Sequence, residues 1–156
     1  MIGPVRDEHL PALHALNEAH ASELSSVTLP ELRRMLGEAF VARAVGGDAL
    51  LIAFDQGAAY DSPNFVWFRD RYPRFVYVDR VVVGAARRGE GLARQLYEAL
   101  FAEARRAGHD RVVAEINVDP PNPGSDAFHA ALGFVEVGRA TLAGRGKAVR
   151  YVSRTL

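Results

Sequence analysis

The chain has 156 residues, which fits one domain over residues 1–156, and its 49% hydrophobic and 24% charged content is typical of globular proteins. Nineteen basic residues balance nineteen acidic ones, so no net field attracts nucleic acid or a membrane, and we expect neither as a partner. Zero cysteines exclude disulfides and a cysteine nucleophile, while the absence of a membrane-length apolar run and of a signal-peptide core favours a cytoplasmic protein.

The first third of the chain predicts a short strand, two helices and a hairpin. Residues 2–6 can form the strand, and leucines spaced by one helical turn predict a helix over 10–20. A second helix begins with Thr28 and Glu31 in the spacing of a capping box. Residues 39–55 then predict two strands joined by a Gly-Gly-Asp turn.

The middle of the chain combines an irregular segment with a strong strand and a long helix. Residues 56–73 fit neither the helical nor the strand period, and predict a loop with a short helix near 63–71. Residues 75–83 are β-branched and aromatic, which predicts a strand. An amphipathic pattern over 91–107 predicts a helix that ends at Gly108.

The last third predicts a strand, a short helix and an antiparallel pair of strands. Residues 111–118 form the strand, and the helix runs from an N-cap at Asn122 to Gly133. The closing pair follows, with the turn at "AGRG", residues 143–146. The order of elements predicts a mixed α+β domain with one β-α-β crossover in its second half.

Gly89 and Gly91 open the helix 91–107, where a glycine costs roughly 1 kcal/mol relative to alanine. A helix start presents unpaired N–H groups and a partial positive charge. Residues without side chains clear the approach for an anion such as a pyrophosphate, and Arg87 and Arg88 add positive charge. The pattern therefore favours phosphate binding over a tight turn that needs glycine for geometry alone.

Three phosphate-binding patterns compete for this loop. A Walker A loop needs Gly-Lys-Ser/Thr, which is absent, and a Rossmann loop would follow the first strand of a β-α-β unit. The pattern Arg/Gln-x-x-Gly-x-Gly/Ala is filled by residues 88–93, and "NPGSDAFHAALGF" at 122–134 looks like a second hallmark of the same group. On these segments the chain resembles the GNAT superfamily of acyl-CoA-dependent N-acetyltransferases, as a single acetyltransferase domain with an acceptor that the motifs do not name.

The resemblance implies a GNAT-type fold with a mixed, mostly antiparallel sheet of about seven strands, flanking helices and splayed central parallel strands at 75–83 and 111–118. It implies direct attack of a primary amine, on a small molecule or a peptide, on the thioester of acetyl-CoA, and relatives commonly form dimers. The expected coenzyme contacts are Val81, Val82, Val83, Arg88, Gly89, Glu90, Gly91, Leu92, Ala93, Arg94, Asn122 and Ser125.

The resemblance also assigns the catalytic acid and base. The family's usual tyrosine position falls on His129, seven residues after Asn122, and we interpret His129 as the group that protonates the coenzyme thiolate. A half-buried helix histidine is the alternative interpretation. Glu115 is the candidate base for the amine, with Asp79 and Tyr77 as further candidates.

The acceptor is expected between the segment 56–73 and the helix near 28–36. Polar and aromatic residues of that segment suit a small polar amine or a peptide end: Asp61, Asn64, Trp67 and Tyr72. No His or carboxylate pair has metal spacing, so we expect no metal, and surface positions for His14, His20 and His109. The alternative functions are a non-catalytic acyl-CoA sensor on the same fold and a nucleotide-binding regulatory domain of another fold.

Overall fold

The computed structural model describes residues 1–142 and 147–156, and the predicted turn at 143–146 lies outside the described residues. The helices and strands are α1 (Leu10–Ala19), α2 (Leu29–Glu38), β1 (Val41–Val45), β2 (Ala49–Asp55), α3 (Pro63–Arg69), β3 (Val76–Val83), α4 (Leu92–Arg106), β4 (Arg111–Asp119), α5 (Pro123–Ala131), β5 (Val135–Leu142) and β6 (Lys147–Thr155). None of the described helices has the length and apolar character that a bilayer crossing requires.

The described strands form one mixed sheet in the order β1-β2-β3-β4-β6-β5. All neighbours are antiparallel except β3 and β4. The predicted α+β class is confirmed, and six strands come close to the predicted seven. Residues 2–6 add only a single bridge, between Gly3 and Ala44, instead of a strand.

Local signals place the helix starts as predicted. The Thr28 side chain accepts a hydrogen bond from the Glu31 amide at 3.2 Å, and the Glu31 carboxylate accepts one from the Thr28 amide at 3.1 Å. The Asn122 side chain likewise accepts from the Ser125 amide at 3.2 Å and begins α5. These bonds satisfy amides that have no partner inside the helix.

The two parallel strands of the sheet touch at one end only. β3 and β4 are paired at Val76 with Val112 and at Tyr77 with Val113, and no further. Each strand stays paired on its other side, β3 with β2 and β4 with β6. The strands therefore diverge beyond Tyr77, which confirms the predicted splay.

A bulge in β3 changes which side chains face each side of the sheet. Ile52 of β2 lies opposite Arg80 and the next residue, Ala53, lies opposite Val78, so Asp79 has no partner on β2. A bulge interrupts the alternation of side chains along a strand. As a result the consecutive side chains of Asp79 and Arg80 both turn toward α1 and the residues before α3, where they find their hydrogen-bond partners.

The sheet separates two apolar cores. One core lies between the sheet and α4, and includes Leu96 and Leu100. The other lies between the sheet and helices α1 to α3, and includes Phe65 and Phe68 of α3. On this second side, Trp67 stacks on Tyr151 of β6 with ring centroids 4.2 Å apart, which fixes α3 on the sheet.

Gly138 of β5 gives Trp67 the space it occupies. A Cβ atom at Gly138 would lie 2.3 Å from Cζ2 of Trp67. We expect Gly138→Ala to lower the free energy of unfolding by about 1–3 kcal/mol, because the overpacked ring must move. Urea unfolding followed by circular dichroism measures the loss.

Gly37→Ala in α2 is the matched control, because no atom lies within 4 Å of the added Cβ. Removing a glycine from a helix interior should stabilise the protein by up to about 1 kcal/mol. Equal stability of Gly138→Ala and wild type would show that Trp67 does not pack over Gly138.

Candidate active site

The divergence of β3 and β4 opens a groove of about 670 Å³. Its walls are the two strands, the start of α4 and the side of α5. The predicted site residues that line it are Val81, Val82, Val83, Arg88, Ala93, Glu115, Asn122, Ser125 and His129. The fold thus brings together residues that lie up to 48 positions apart in the sequence, from Val81 to His129.

The loop before α4 presents a row of free amides at one end of the groove. Gly89 and Gly91 have φ angles of 85° and 74°, a left-handed conformation that strains other residues. Gly91 is the N-cap of α4 and supplies no side-chain cap. Within residues 1–142 and 147–156, the backbone amides of 89–94 meet no protein acceptor. An anion with several oxygens is the ligand that such an array fits.

The arginines around the loop differ in how they are held. Arg87 forms ion pairs with Asp48 at 2.8 Å and Glu90 at 2.9 Å, so its charge is largely neutralised by the protein. Arg94 pairs with the next turn of its own helix. The Arg88 guanidinium donates to Nε2 of His20 at 3.2 Å and lines the groove, which leaves its charge available to a bound anion.

Two residues predicted to contact a coenzyme have other surroundings. The side chain of Leu92 is buried in the α4 core, and only its backbone amide belongs to the free array. The side chain of Arg94 is 58% exposed and points along the helix surface toward Glu98. Neither side chain therefore lines the groove.

A carboxylate lies in the groove wall on β4. The Tyr77 hydroxyl donates to Oε2 of Glu115 at 2.7 Å. Burial raises the pKa of Glu115 to about 7, and the hydrogen bond from Tyr77 opposes the rise without cancelling it. Near neutral pH this side chain can therefore both release and accept a proton.

The other two candidate bases are less available. Asp79 accepts from the Tyr60 hydroxyl through Oδ1 and from Arg80 through Oδ2, the latter at 2.7 Å. Burial raises the pKa of Tyr77 well above its ordinary value, so its phenol stays protonated. Glu115, with a pKa of about 7, is therefore the best candidate for the base.

The guanidinium of Arg80 ties this network to the helical layer. It donates to Oδ1 of Asn17 at 2.7 Å and to the Ser25 carbonyl at 3.2 Å, in addition to Asp79. Its side chain is only 4% exposed, so the ion pair with Asp79 is buried and hydrogen-bonded on both partners. The sequence pattern gives no sign of this contact, because Asn17 is a single polar residue that follows the leucines of α1.

His129 is buried, and both of its ring nitrogens are occupied. Nδ1 lies 2.8 Å from the Ser125 carbonyl, and Nε2 lies 2.7 Å from the Tyr97 hydroxyl. Burial lowers the pKa of His129, so the neutral ring dominates at pH 7. Sequence reasoning missed Tyr97, whose position in α4 reads as part of the apolar stripe.

A second cleft of about 500 Å³ lies between α2 and residues 59–62, where the acceptor was expected. Asp61 lines it, and Arg80 lines both this cleft and the groove, so the two cavities lie on either side of Arg80. Asn64 accepts instead from the Tyr151 hydroxyl at 2.9 Å. The other two residues of the expected acceptor set, Trp67 and Tyr72, line neither cavity.

The remaining histidines depart from a simple surface placement. His109 is buried, with 7% exposure, and packs edge-on against Phe40, so the expected surface position is wrong. His14 and His20 are partly buried. Nε2 of His14 lies 2.6 Å from the Val27 carbonyl, which ties α1 to the segment before α2.

Three comparisons relate the chain to known proteins. The model of the Acetyltransferase (GNAT) family matches residues 57–134, half of the chain. An L-2,4-diaminobutyric acid acetyltransferase of Wolinella succinogenes is 30% identical over 86 residues, 51% of this chain. The match covers 50% of that relative, so the chain spans about half the length of the curated relative it matches.

Solved structures share the fold over nearly the whole chain. The ribosomal-protein-S18-alanine N-acetyltransferase of Escherichia coli superposes with a TM-score of 0.71 and 16% identity, over 99% of this chain and 92% of that one. The protein yncA of Salmonella typhimurium, in a structure with its cofactor acetyl-CoA, gives 0.68 and 22%, over 100% and 93%. At these identities the likeness concerns the fold.

The raised pKa of Glu115 has a consequence for stability that needs no ligand. The folded protein binds this proton more tightly than the unfolded chain, whose carboxyl titrates near 4.5. The contribution is complete below that pH and is lost as the pH rises through about 7. We expect Glu115→Gln to gain stability over wild type progressively between these values, as measured by urea midpoints. A difference that stays constant with pH would contradict a raised pKa.

Proposed function

The chain belongs to the GNAT family of acetyltransferases, and on that premise we propose that it transfers an acetyl group from acetyl-CoA to a primary amine by direct attack. The observation that carries this proposal is the groove itself. It joins free amides at one end to Glu115, with a pKa of about 7, in its wall. One cavity thus offers donors for the anionic end of a ligand and, separately, a base for its reacting centre.

The loop before α4 would hold the diphosphate of the coenzyme. The amides of 89–94 and the positive end of the helix supply donors and charge, and Arg88 adds a cation. These features lie where the pattern Arg-x-x-Gly-x-Gly/Ala was found. The proposed contact is therefore mainly one of backbone atoms, which explains why glycines occupy its centre.

The pantetheine arm would run along β3. Beyond Tyr77 this strand has no partner among the described residues on the side of β4, so its backbone at Val81 and Val83 borders the groove without a paired strand. Backbone donors and acceptors that lose water need new partners. An arm that contains amide groups can pair with them as an added strand would.

Glu115 would take the proton of the attacking amine. An ammonium ion is not a nucleophile, and a carboxylate with a pKa of about 7 is a stronger base than an ordinary glutamate. The bulge at Asp79 releases backbone groups of β3 from the β2 ladder, and an N–H that faces the groove would donate to the oxyanion. The two requirements of the attack are thus met on neighbouring strands.

The acceptor would enter through the cleft between α2 and residues 59–62. This cleft borders the groove at Arg80, and its volume of about 500 Å³ suits a small molecule or the end of a peptide. The relative from Wolinella succinogenes is named for diaminobutyric acid, a small molecule with primary amines. We therefore favour a small-molecule amine as the acceptor.

An acceptor screen that reads free thiol release tests the proposed reaction. With a productive amine, kcat/KM should rise with pH as Glu115 ionises, around its pKa of about 7. Glu115→Gln should lower kcat/KM by about 10²-fold or more and lose this acidic limb, because the base is gone.

Two results would contradict the assignment. A Glu115→Gln enzyme that keeps the wild-type acidic limb removes Glu115 as the base. Binding of acetyl-CoA without thiol release, over a broad panel of amines, would favour a coenzyme sensor instead of a transferase.

The diphosphate site is tested at Gly91, whose φ angle of 74° is tolerated by asparagine and aspartate better than by other residues. The two replacements differ mainly in charge. We expect Gly91→Asp to bind coenzyme A about tenfold more weakly than Gly91→Asn, because a carboxylate beside the free amides repels the anion. Isothermal titration calorimetry measures both dissociation constants. Equal affinities, or no binding by wild type at millimolar coenzyme, would place the coenzyme elsewhere or exclude it.

A further inference from the structure

Tyr97 and His129 form a polar pair inside an otherwise apolar aromatic cluster. The two rings lie 5.4 Å apart, and Phe101, Phe128 and Phe134 surround Tyr97 with centroids 5.5 to 5.9 Å away. Tyr97 is 1% exposed and His129 is 6% exposed. Phenylalanine would fill either site without a polar group to desolvate, so packing alone does not account for the pair. Both residues line the groove.

The surroundings of His129 fix which nitrogen carries the proton in the neutral ring. The Ser125 carbonyl can only accept, and at 2.8 Å it lies closer to Nδ1 than the Ser125 hydroxyl does at 3.2 Å, so Nδ1 donates to the carbonyl. The bare Nε2 then accepts the Tyr97 hydroxyl at 2.7 Å. In this state neither residue has a hydrogen left to give to a ligand in the groove.

Protonation of the His129 ring reverses the direction of its hydrogen bond with Tyr97. In the imidazolium, Nδ1 still donates to Ser125, and Nε2 now donates to the phenol oxygen of Tyr97. The hydroxyl hydrogen of Tyr97 is thereby freed to point into the groove. The pair offers a donor to the groove in this state alone, and the donor is the tyrosine hydroxyl instead of the imidazole.

We propose that Tyr97 is the residue that protonates the departing coenzyme thiolate, and that His129 acts behind it as the source of the proton. This inference rests on the proposed transferase function. In this proposal His129 does not donate to the sulfur directly. It is a positioning residue that orients the Tyr97 hydroxyl and returns a proton to it. The family's tyrosine position is thus filled by histidine, and a hydroxyl is supplied from α4.

The proton transfer balances without a further reactant. The Tyr97 O–H bond breaks as the S–H bond forms, and the Nε2–H bond of His129 breaks as a new Tyr97 O–H bond forms. The imidazolium becomes neutral imidazole with Nδ1 still bonded to Ser125, and solvent restores its proton for the next cycle. Burial raises the pKa of Tyr97 far above its ordinary value, which agrees with a phenol that relays a proton and is never left ionised.

Charged groups from three elements face the pair. Asp126 of α5 favours the imidazolium and Arg150 of β6 opposes it, and these two side chains pair with each other at 3.4 Å. Glu115 of β4 acts on Tyr97 across the groove and favours the neutral phenol. Burial outweighs these charges and lowers the pKa of His129. The form in which His129 is protonated and Tyr97 can donate to the groove is therefore a minority form near neutral pH.

Three variants test the pair by kinetics: Tyr97→Phe, His129→Gln and the double variant. Each single variant should lower kcat by about 10²-fold while the KM for acetyl-CoA changes less than about twofold, because the acid acts only as the thiolate leaves. The double variant should lose no more than about threefold beyond the slower single one, since the residues act as a unit. Wild-type kcat should fall as the pH rises and His129 loses its proton, and His129→Gln should lack this alkaline limb.

A matched control comes from outside the groove. His109→Gln removes another buried histidine, which lines neither cavity, and should keep wild-type kcat and its pH profile. Losses that multiply in the double variant would overturn the proposal, as would wild-type kcat in Tyr97→Phe. If wild type releases no thiol with any amine, the transferase function itself fails, which is a different outcome from multiplying losses in an active enzyme.

Nitrogen NMR of the imidazole tests the same inference without any substrate. The neutral ring of His129 should be the Nδ1–H tautomer, and the Nε2 resonance should move toward an unbonded value in Tyr97→Phe. An Nε2–H tautomer in wild type would reverse the donor and overturn the proposal even in an active enzyme.

Discussion

The short contact between β3 and β4 is the constraint on which the rest of the structure depends. Two residue pairs hold these strands together, and both strands keep full partners on their outer sides. The sheet can therefore open in its middle without creating two new outer edges. The opening leaves backbone groups of β3 facing a cavity, where they cost free energy until water or a ligand pairs with them. An extended ligand with its own amide groups relieves that cost.

In the part of the sheet that the structure describes, the buried charges of Asp79 and Arg80 are neutralised, whereas that of Glu115 is not. Arg80 and Asp79 neutralise each other, and Tyr60 and Asn17 satisfy their remaining hydrogen-bonding capacity. Glu115 receives hydrogen bonds but no cation, and the charge of Asp79 raises its pKa further. Burial favours the protonated form of this carboxyl, so ionising it at neutral pH lowers the stability of the fold. The same raised pKa makes its carboxylate a base for the groove.

Structural features that depend on a few consecutive residues could be predicted from the sequence. Features that depend on contacts between residues far apart in the chain could not. The capping box at Thr28 and the glycine loop at 89–91 depend on local spacing, and both appear in the structure. The bulge at Asp79 depends on β2, and the Tyr97–His129 bond joins two helices. A tyrosine fits the apolar positions of a helix as well as a leucine does, so hydrophobic periodicity cannot reveal that its hydroxyl has a polar role.

The pairing of Arg80 with Asp79 explains how a cationic side chain can stand between the cleft and the groove without disfavouring the proposed reaction. In the proposed reaction, an ammonium acceptor in the cleft must approach Glu115 in the groove, and Arg80 lines both spaces. A free guanidinium there would repel the ammonium and would hold the pKa of Glu115 down, which would weaken the base. The ion pair with Asp79 cancels that charge, and the bulge places both side chains on the same face of the sheet. The irregularity in β3 thus shapes the groove and sets its electrostatics together.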